Sequence, residues 1–190
     1  MKLWILAAGV LAVTGAARGA SWDIGIYPNA LVNPGDFVTV SIYASFDESD
    51  YAFAGADFDL VTDDSWGKFY DVQEHLGGPG SFAGSPVGGD VLGIVTGQEH
   101  SPDQGVFADT KNPILVWTGK FTTSDFSYRL ISFATVTSVF DVYSDAQGTR
   151  ENRMDGLIEG LGGVLVCACP SPGTGAIGVV AAGLAWRRRR

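Results

Sequence analysis

Cysteine is nearly missing from this sequence: its 190 residues hold two, Cys167 and Cys169, both close to the carboxy-terminal end. The body therefore has no disulfide framework and must be held by packing. A C-x-C disulfide would be strained, and two thiols are too few for a zinc site. Histidine is as scarce. His75 and His100 sit in or beside a glycine-rich stretch without tight ligand spacing, and they read as solvated loop residues. Bases are few too: between Ser21 and Cys169 lie all 21 acids but only Lys68, Lys111, Lys120, Arg129, Arg150 and Arg153, a net charge of −15. A body this acidic repels phosphate backbones, which argues against nucleic acid as a partner.

Catalytic signatures are missing as well. There is no G-x-S-x-G, no P-loop, and no G-x-G-x-x-G between a strand and a helix. Glycosidase carboxylates can come from anywhere in a chain and leave no local motif. With few helices and no signature, the body is expected to be non-enzymatic and to need no cofactor, calcium being the one ion its acids could bind.

What the chain has instead is turns and strand formers. It carries 26 glycines and 8 prolines, together with many Val, Phe, Tyr and Thr, which favours an all-β domain. Residues 22–27 alternate apolar and polar, and Asn33-Pro34-Gly35-Asp36 supplies a turn. In residues 37–43, Val38, Val40 and Ile42 share one face while Phe37, Thr39, Ser41 and Tyr43 share the other. Residues 52–61 set Ala56, Phe58 and Leu60 against Asp57 and Asp59. Residues 66–72 form a weaker strand. From Glu74 to Asp109 the pattern dissolves into Gly, Pro and Ser, apart from residues 91–95, and reads as a long loop carrying at most one short strand. Residues 114–122, 126–136 and 139–143 are further strands, the last two parted by Thr137-Ser138. Residues 157–166 form a last strand despite four glycines. Seven to nine short strands make a single β-sandwich, in which two packed sheets bury the apolar face of each strand.

The runs PGDFVTVSIYAS (34–45), AFAGADFDLVTDD (52–64) and ILVWTGKFTT (114–123) resemble parts of cohesin-type β-sandwiches, relatives of carbohydrate-binding modules. The resemblance implies a jelly-roll-like sandwich with a binding or scaffolding role more than catalysis.

Two kinds of side chain are candidates for binding. Asp47, Glu48 and Asp50 in one loop, with Asp57, Asp59, Asp63 and Asp64 around another, could supply the hard oxygen ligands that calcium prefers; the bland alternative is a solvated acidic face. Tyr43, Tyr51, Trp66 and Tyr70 could stack on sugar rings, although residues of this type are commonly buried.

Both ends read as addresses. Met1-Lys2 followed by the apolar residues 3–13 and then small residues is a signal peptide, with cleavage after Ala17 or Gly19. At the other end, residues 174–186 would span roughly 20 Å as a helix, short of the ~30 Å hydrocarbon core. Four arginines then stop transfer, so the tail is a transient or marginal membrane anchor. Pro170-Ser171-Pro172-Gly173, the apolar residues 176–186 and the cluster Arg187, Arg188, Arg189 and Arg190 resemble the PEP-CTERM sorting signal. Ser171 stands where that family usually has glutamate. The resemblance implies processing by an exosortase-type membrane protease and delivery to the cell surface or an exopolysaccharide matrix. The organisation expected is a signal peptide over 1–19, a sandwich over 20–166 and a sorting tail with a short hydrophobic helix over 167–190. The expected role is that of an exported surface or matrix protein that binds polysaccharide or serves structurally. The alternatives are a tail-anchored scaffold for protein partners and a polysaccharide-acting enzyme.

Overall fold

A computed structural model describes residues 19–28 and 31–166. The signal peptide, the Pro170 to Gly173 motif, the arginine cluster and both cysteines lie outside the described residues. The described chain forms ten strands: β1 (Ser21–Tyr27), β2 (Val38–Ser45), β3 (Ala52–Thr62), β4 (Gly67–Glu74), β5 (Ser85–Val87), β6 (Asp90–Gly97), β7 (Ile114–Thr123), β8 (Arg129–Tyr143), β9 (Arg150–Asn152) and β10 (Leu161–Val166), with one 3₁₀ turn at Pro102–Gln104. A four-stranded sheet in the order β1-β2-β7-β4 packs against a sheet in the order β10-β8-β3-β6-β5, and β9 pairs with β8.

Period-two alternation decides which face each strand buries. Val38, Val40, Ile42 and Ala44 of β2 meet Ala56, Phe58 and Leu60 of β3 in one core. Aromatic rings fill its middle. Trp22 lies 4.6 Å from Phe58 and 5.0 Å edge-on from Phe140, and Phe69 contacts Trp117, Phe121 and Phe133. Both buried indoles keep a polar partner, Trp22 Nε1 donating to Thr137 Oγ1 and Trp117 Nε1 to the Ala83 carbonyl, as burial of an N–H requires.

Three segments depart from the sequence reading. Thr137-Ser138 is no turn: β8 runs unbroken for 15 residues. Its pairing with β3 slips between Asp57 and Phe58, because Val139 pairs with Asp57 and Thr137 with Phe58. This bulge changes parity, so Ile131 and Phe133 before it and Phe140 and Val142 after it all point into the core. The stretch from Glu74 to Asp109 is likewise more ordered than its composition suggests. It holds the β5–β6 hairpin, a bridge between Phe82 and Val95, and the anchor from Trp117 to Ala83. Two three-residue strands, β5 and β9, bring the total to ten.

The glycines of β10 have a packing reason. The edge strands β1 and β10 belong to different sheets and run side by side, flanked by parallel bridges from Ser21 of β1 to Ile158 and from Val166 of β10 to Val32. A Cβ on Gly162 would stand 2.7 Å from Ile24 Cγ2, and one on Gly160 would stand 2.9 Å from Trp22 Cβ. Gly162→Ala is therefore expected to cost about 1–3 kcal/mol. In combination with Ile24→Ala, which removes the clashing methyl, the loss should be smaller than the sum of the two single losses; denaturant melts of the four chains measure this.

Candidate functional site

Because β3 turns Ala56, Phe58 and Leu60 inward, it must turn Asp57 and Asp59 outward onto the open face of its sheet. On β8, Val139 pairs with Asp57 and Val136 with Asp59; on β6, Val95 pairs with Asp57. Val136 and Val139 are exposed, as are Leu130 of β8 and Leu92 of β6. The result is an acidic row on the central strand between two aliphatic rows. Asp59 Oδ1 accepts from the Gly93 amide at 2.7 Å. Among the described residues, no ion pair or hydrogen bond holds the Asp57 carboxylate. The β-bulge sits in the middle of this face, where Ser138 Oγ donates to the Asp57 carbonyl at 3.0 Å.

At one end of the face lies a cleft of about 570 Å³. Its floor is made of Ala54, Gly55 and Gly97, and its rim includes Tyr143, Arg150 and His100. The floor is low because β3 and β6 approach closely: a Cβ on Gly55 would meet the Thr96 carbonyl at 2.9 Å. The rim is rigidly made. Gln98 Nε2 donates to the Phe53 and Asp109 carbonyls while its Oε1 accepts from the Asp109 amide. Tyr143 Oη donates to the Gln98 carbonyl and accepts from Arg150 Nη2, and the Arg150 guanidinium lies 5.4 Å from the Tyr143 ring centre. His100 packs between Tyr51 and Tyr143. Its Nδ1 accepts from the Ala108 amide and its Nε2 faces the Ala146 carbonyl. That pair of partners suits the neutral ring with its hydrogen on Nε2. His100 is thus a structural residue of the rim rather than a solvated loop side chain, and a pairing partner 46 residues away is invisible to local pattern. His75 is exposed, with Nε2 2.8 Å from Thr118 Oγ1.

The seven acids proposed for calcium do not come together. Asp50 and Asp63 flank opposite ends of β3, which spans on the order of 35 Å as an extended strand. Asp50 is buried and paired through both oxygens with Arg153, at 2.7 Å to Nη2 and 3.3 Å to Nε. Asp47 Oδ1 accepts from the Ser49 amide in the same loop, which Glu48 shares as an exposed residue. Asp64, also buried, accepts from Arg129 Nη2 at 2.7 Å and from the Trp66 amide at 2.9 Å. Asp63 accepts from the Ser132 amide. Among the described residues, no three acidic, histidine or cysteine side chains are placed to hold a metal ion. Calcium at Asp47, Asp50, Asp59, Asp63 or Asp64 would have to displace donors already in place. Of the four aromatic candidates, Tyr43 and Tyr51 are half-buried, while Trp66 and Tyr70 are exposed.

This geometry is a cohesin-like β-sandwich. The seventh ScaB type I cohesin from Pseudobacteroides cellulosolvens superposes with a TM-score of 0.58 at 15% identity, over 81% of this chain and 96% of that one. The type I cohesin–dockerin complex Coh-OlpA-Doc918 from Clostridium thermocellum gives 0.53 at 17% identity, over 77% and 99%. The third ScaC cohesin from Acetivibrio cellulolyticus, in complex with the ScaB dockerin, gives 0.53 at 15% identity, over 78% and 99%. No protein-family model and no curated protein matches the sequence.

Two predictions follow from the charges. Arg153→Ala would strand the buried Asp50 carboxylate and is expected to cost roughly 2–3 kcal/mol in a urea melt, less than for a fully buried pair because a third of the arginine is in water. The second concerns acid. The Asp125 carboxyl is held below its usual range by the Ser127 amide and hydroxyl and by Arg129, and the Asp145 carboxyl by the Thr149 amide and hydroxyl. Groups with a lowered folded-state pKa stabilise fully above the unfolded value near 3.8 and lose that contribution as pH falls below it. Melting temperature should therefore hold from pH 7 to about 5 and drop as the solution passes below about 4. Asp145→Ala should flatten part of that drop.

Proposed function

We propose that this chain is an exported, non-catalytic scaffold module that holds a protein partner on the open face of its β10-β8-β3-β6-β5 sheet. One observation carries the reading: the Asp57–Asp59 row flanked by exposed Val136, Val139 and Leu92, a flat face with aliphatic anchors and specific acceptors. Contiguous exposed apolar area rimmed by polar groups marks an interaction surface. Its chemistry suits a partner that brings apolar side chains for the valines together with hydroxyl or basic groups for the two aspartates. The structural likeness supports the same reading, since two of the cohesins named above are seen bound to dockerins. A dockerin-like module is accordingly the partner class proposed here.

Export and sorting complete the proposal. The amino-terminal segment acts as a signal peptide, and the PEP-CTERM-like tail delivers the sandwich through an exosortase-type protease to the cell surface or matrix, where it also contacts polysaccharide. The tail is tested by mass spectrometry of the mature carboxy terminus from surface material of the native host. A chain ending between Pro170 and Thr174 is expected; an intact Arg190 in the membrane fraction would overturn processing.

The face is tested by titrating the purified body with a panel of dockerins and with surface proteins of the native host. Micromolar or tighter binding by the wild-type chain should weaken at least tenfold in Val139→Lys and in Asp57→Lys, because each puts a charge where the partner must be complementary. Equal binding by wild type and both folded variants would remove this face from the interaction.

A further inference from the structure

The open face of the other sheet carries a second cleft, which the protein-binding reading does not use. It encloses about 340 Å³ and is lined by Trp66, Lys68, Tyr70, Thr122, Ser124 and Phe126, with the Pro34-Gly35 turn at its edge. Strand alternation builds it. Phe69 of β4 points into the core, so Lys68 and Tyr70 point out, and Trp66 stands one step before the strand in the same phase. Trp66 and Tyr70 are therefore separated by on the order of 13 Å along an extended strand, with Lys68 between them. Across the sheet, Thr122 of β7 pairs with Lys68.

Three features show a made site rather than scattered surface rings. Trp66 is 64% exposed, Phe126 73% and Tyr70 45%, so large apolar rings face water although the other two tryptophans among the described residues, Trp22 and Trp117, are buried. Their supports are fixed. Arg129 reaches Asp64, whose Oδ1 also takes the Trp66 amide, and it reaches Asp125, the residue before Phe126, at 2.7 Å. One arginine thus ties the turn carrying Trp66 to the turn carrying Phe126. Phe37 braces Tyr70 edge-on at 5.8 Å. The second feature is charge. No carboxylate lines the cleft, and among the described residues no acid lies within ion-pair distance of Lys68, although this body holds 21 acids. Lys111, Lys120, Arg129 and Arg153 each have a carboxylate partner. The third feature is a buried Thr122 Oγ1 without a hydrogen-bond partner in the cleft wall, a group that natural structures rarely leave unpaired.

Flat rings that offer apolar faces in water, with hydroxyls at their edges, match the C–H face and the hydroxyls of a pyranose. The separation of Trp66 from Tyr70 suits a short run of sugars. An unpaired ammonium between them adds a local preference for a carboxylate-bearing sugar, since no carboxylate lines the cleft and salt screens the rest of the acidic body beyond about 10 Å. We propose that this cleft binds an acidic, uronate-type polysaccharide, with the sugar rings stacked on Trp66 and Tyr70 and a carboxylate at Lys68. The proposal deepens the polysaccharide contact suggested above and rests on that part of the reading. It is independent of the protein-binding face, which lies on the opposite sheet.

The test is affinity electrophoresis and calorimetry of the purified body with polygalacturonate and alginate, with dextran as the neutral control. Retardation by an acidic polymer is expected, weakened about tenfold or more by Trp66→Ala, and weakened by Lys68→Glu and by 0.5 M salt. Lys68→Glu is a surface change and leaves folding intact, so it keeps the test decisive where Trp66→Ala perturbs the turn. Val139→Lys should bind the polymers like wild type, which separates failure here from failure of the partner face. Binding to neither acidic polymer, equal binding to dextran, or binding untouched by both Trp66→Ala and Lys68→Glu would each overturn the proposal.

Discussion

The register of β3 is the constraint on which the rest of the molecule depends. Its central place in the larger sheet means that a slip of one residue would exchange Phe58 and Leu60 for Asp57 and Asp59, burying two carboxylates and exposing the core. The alternation that seals the sandwich therefore also writes the acidic row on its open face. Core and surface are two readings of the same eleven residues. The bulge opposite Asp57 and Phe58 extends this logic to β8, because it lets one long strand serve the core with odd-numbered residues on one side of the slip and even-numbered residues on the other.

Scarcity of positive charge shapes what remains. Two buried carboxylates stand at opposite ends of β3, and each is answered by a single arginine, Asp50 by Arg153 and Asp64 by Arg129. Burying such a pair gives little net stability, yet a buried acid without its partner would be costly. These arginines are best understood as positioning devices. Arg153 ties the loop before β3 to the segment after β9. Arg129 ties together the β3–β4 and β7–β8 turns, and with them the rings those turns display.

How much of this could be read in advance follows from distance along the chain. Strands β2, β3 and β7 announce themselves by strict alternation, and the two-sheet sandwich follows from their number. The continuity of β8 was hidden because a bulge breaks the period and imitates a turn. The β5–β6 hairpin was obscured by the glycines around it, whereas residues 157–166 read as a strand despite glycines whose purpose is a close approach to another strand, such as Gly162 against Ile24. Site residues divide the same way. Trp66 and Tyr70 could be named from type alone, but Tyr43 and Tyr51 looked alike and are half-buried. Asp64 and Asp50 were grouped with the calcium candidates because their arginine partners lie 65 and 103 residues away, beyond any local pattern.

The pairing of the edge strands β1 and β10 has a mechanical meaning. They run parallel, so Ala20 lies beside Ile158 at one end of the sandwich while Val166 lies beside Val32 at the other. Tension that draws residue 20 and residue 166 apart acts along both strands at once. The bonds from Trp22 to Ile158, from Ile158 to Ala20 and from Val32 to Leu165 then share the load in shear, together with the interlocked Ile24 and Gly162, instead of parting one after another as the bonds of a peeled hairpin do. A pull delivered through residues 20 and 166 would meet the sandwich along its most resistant direction.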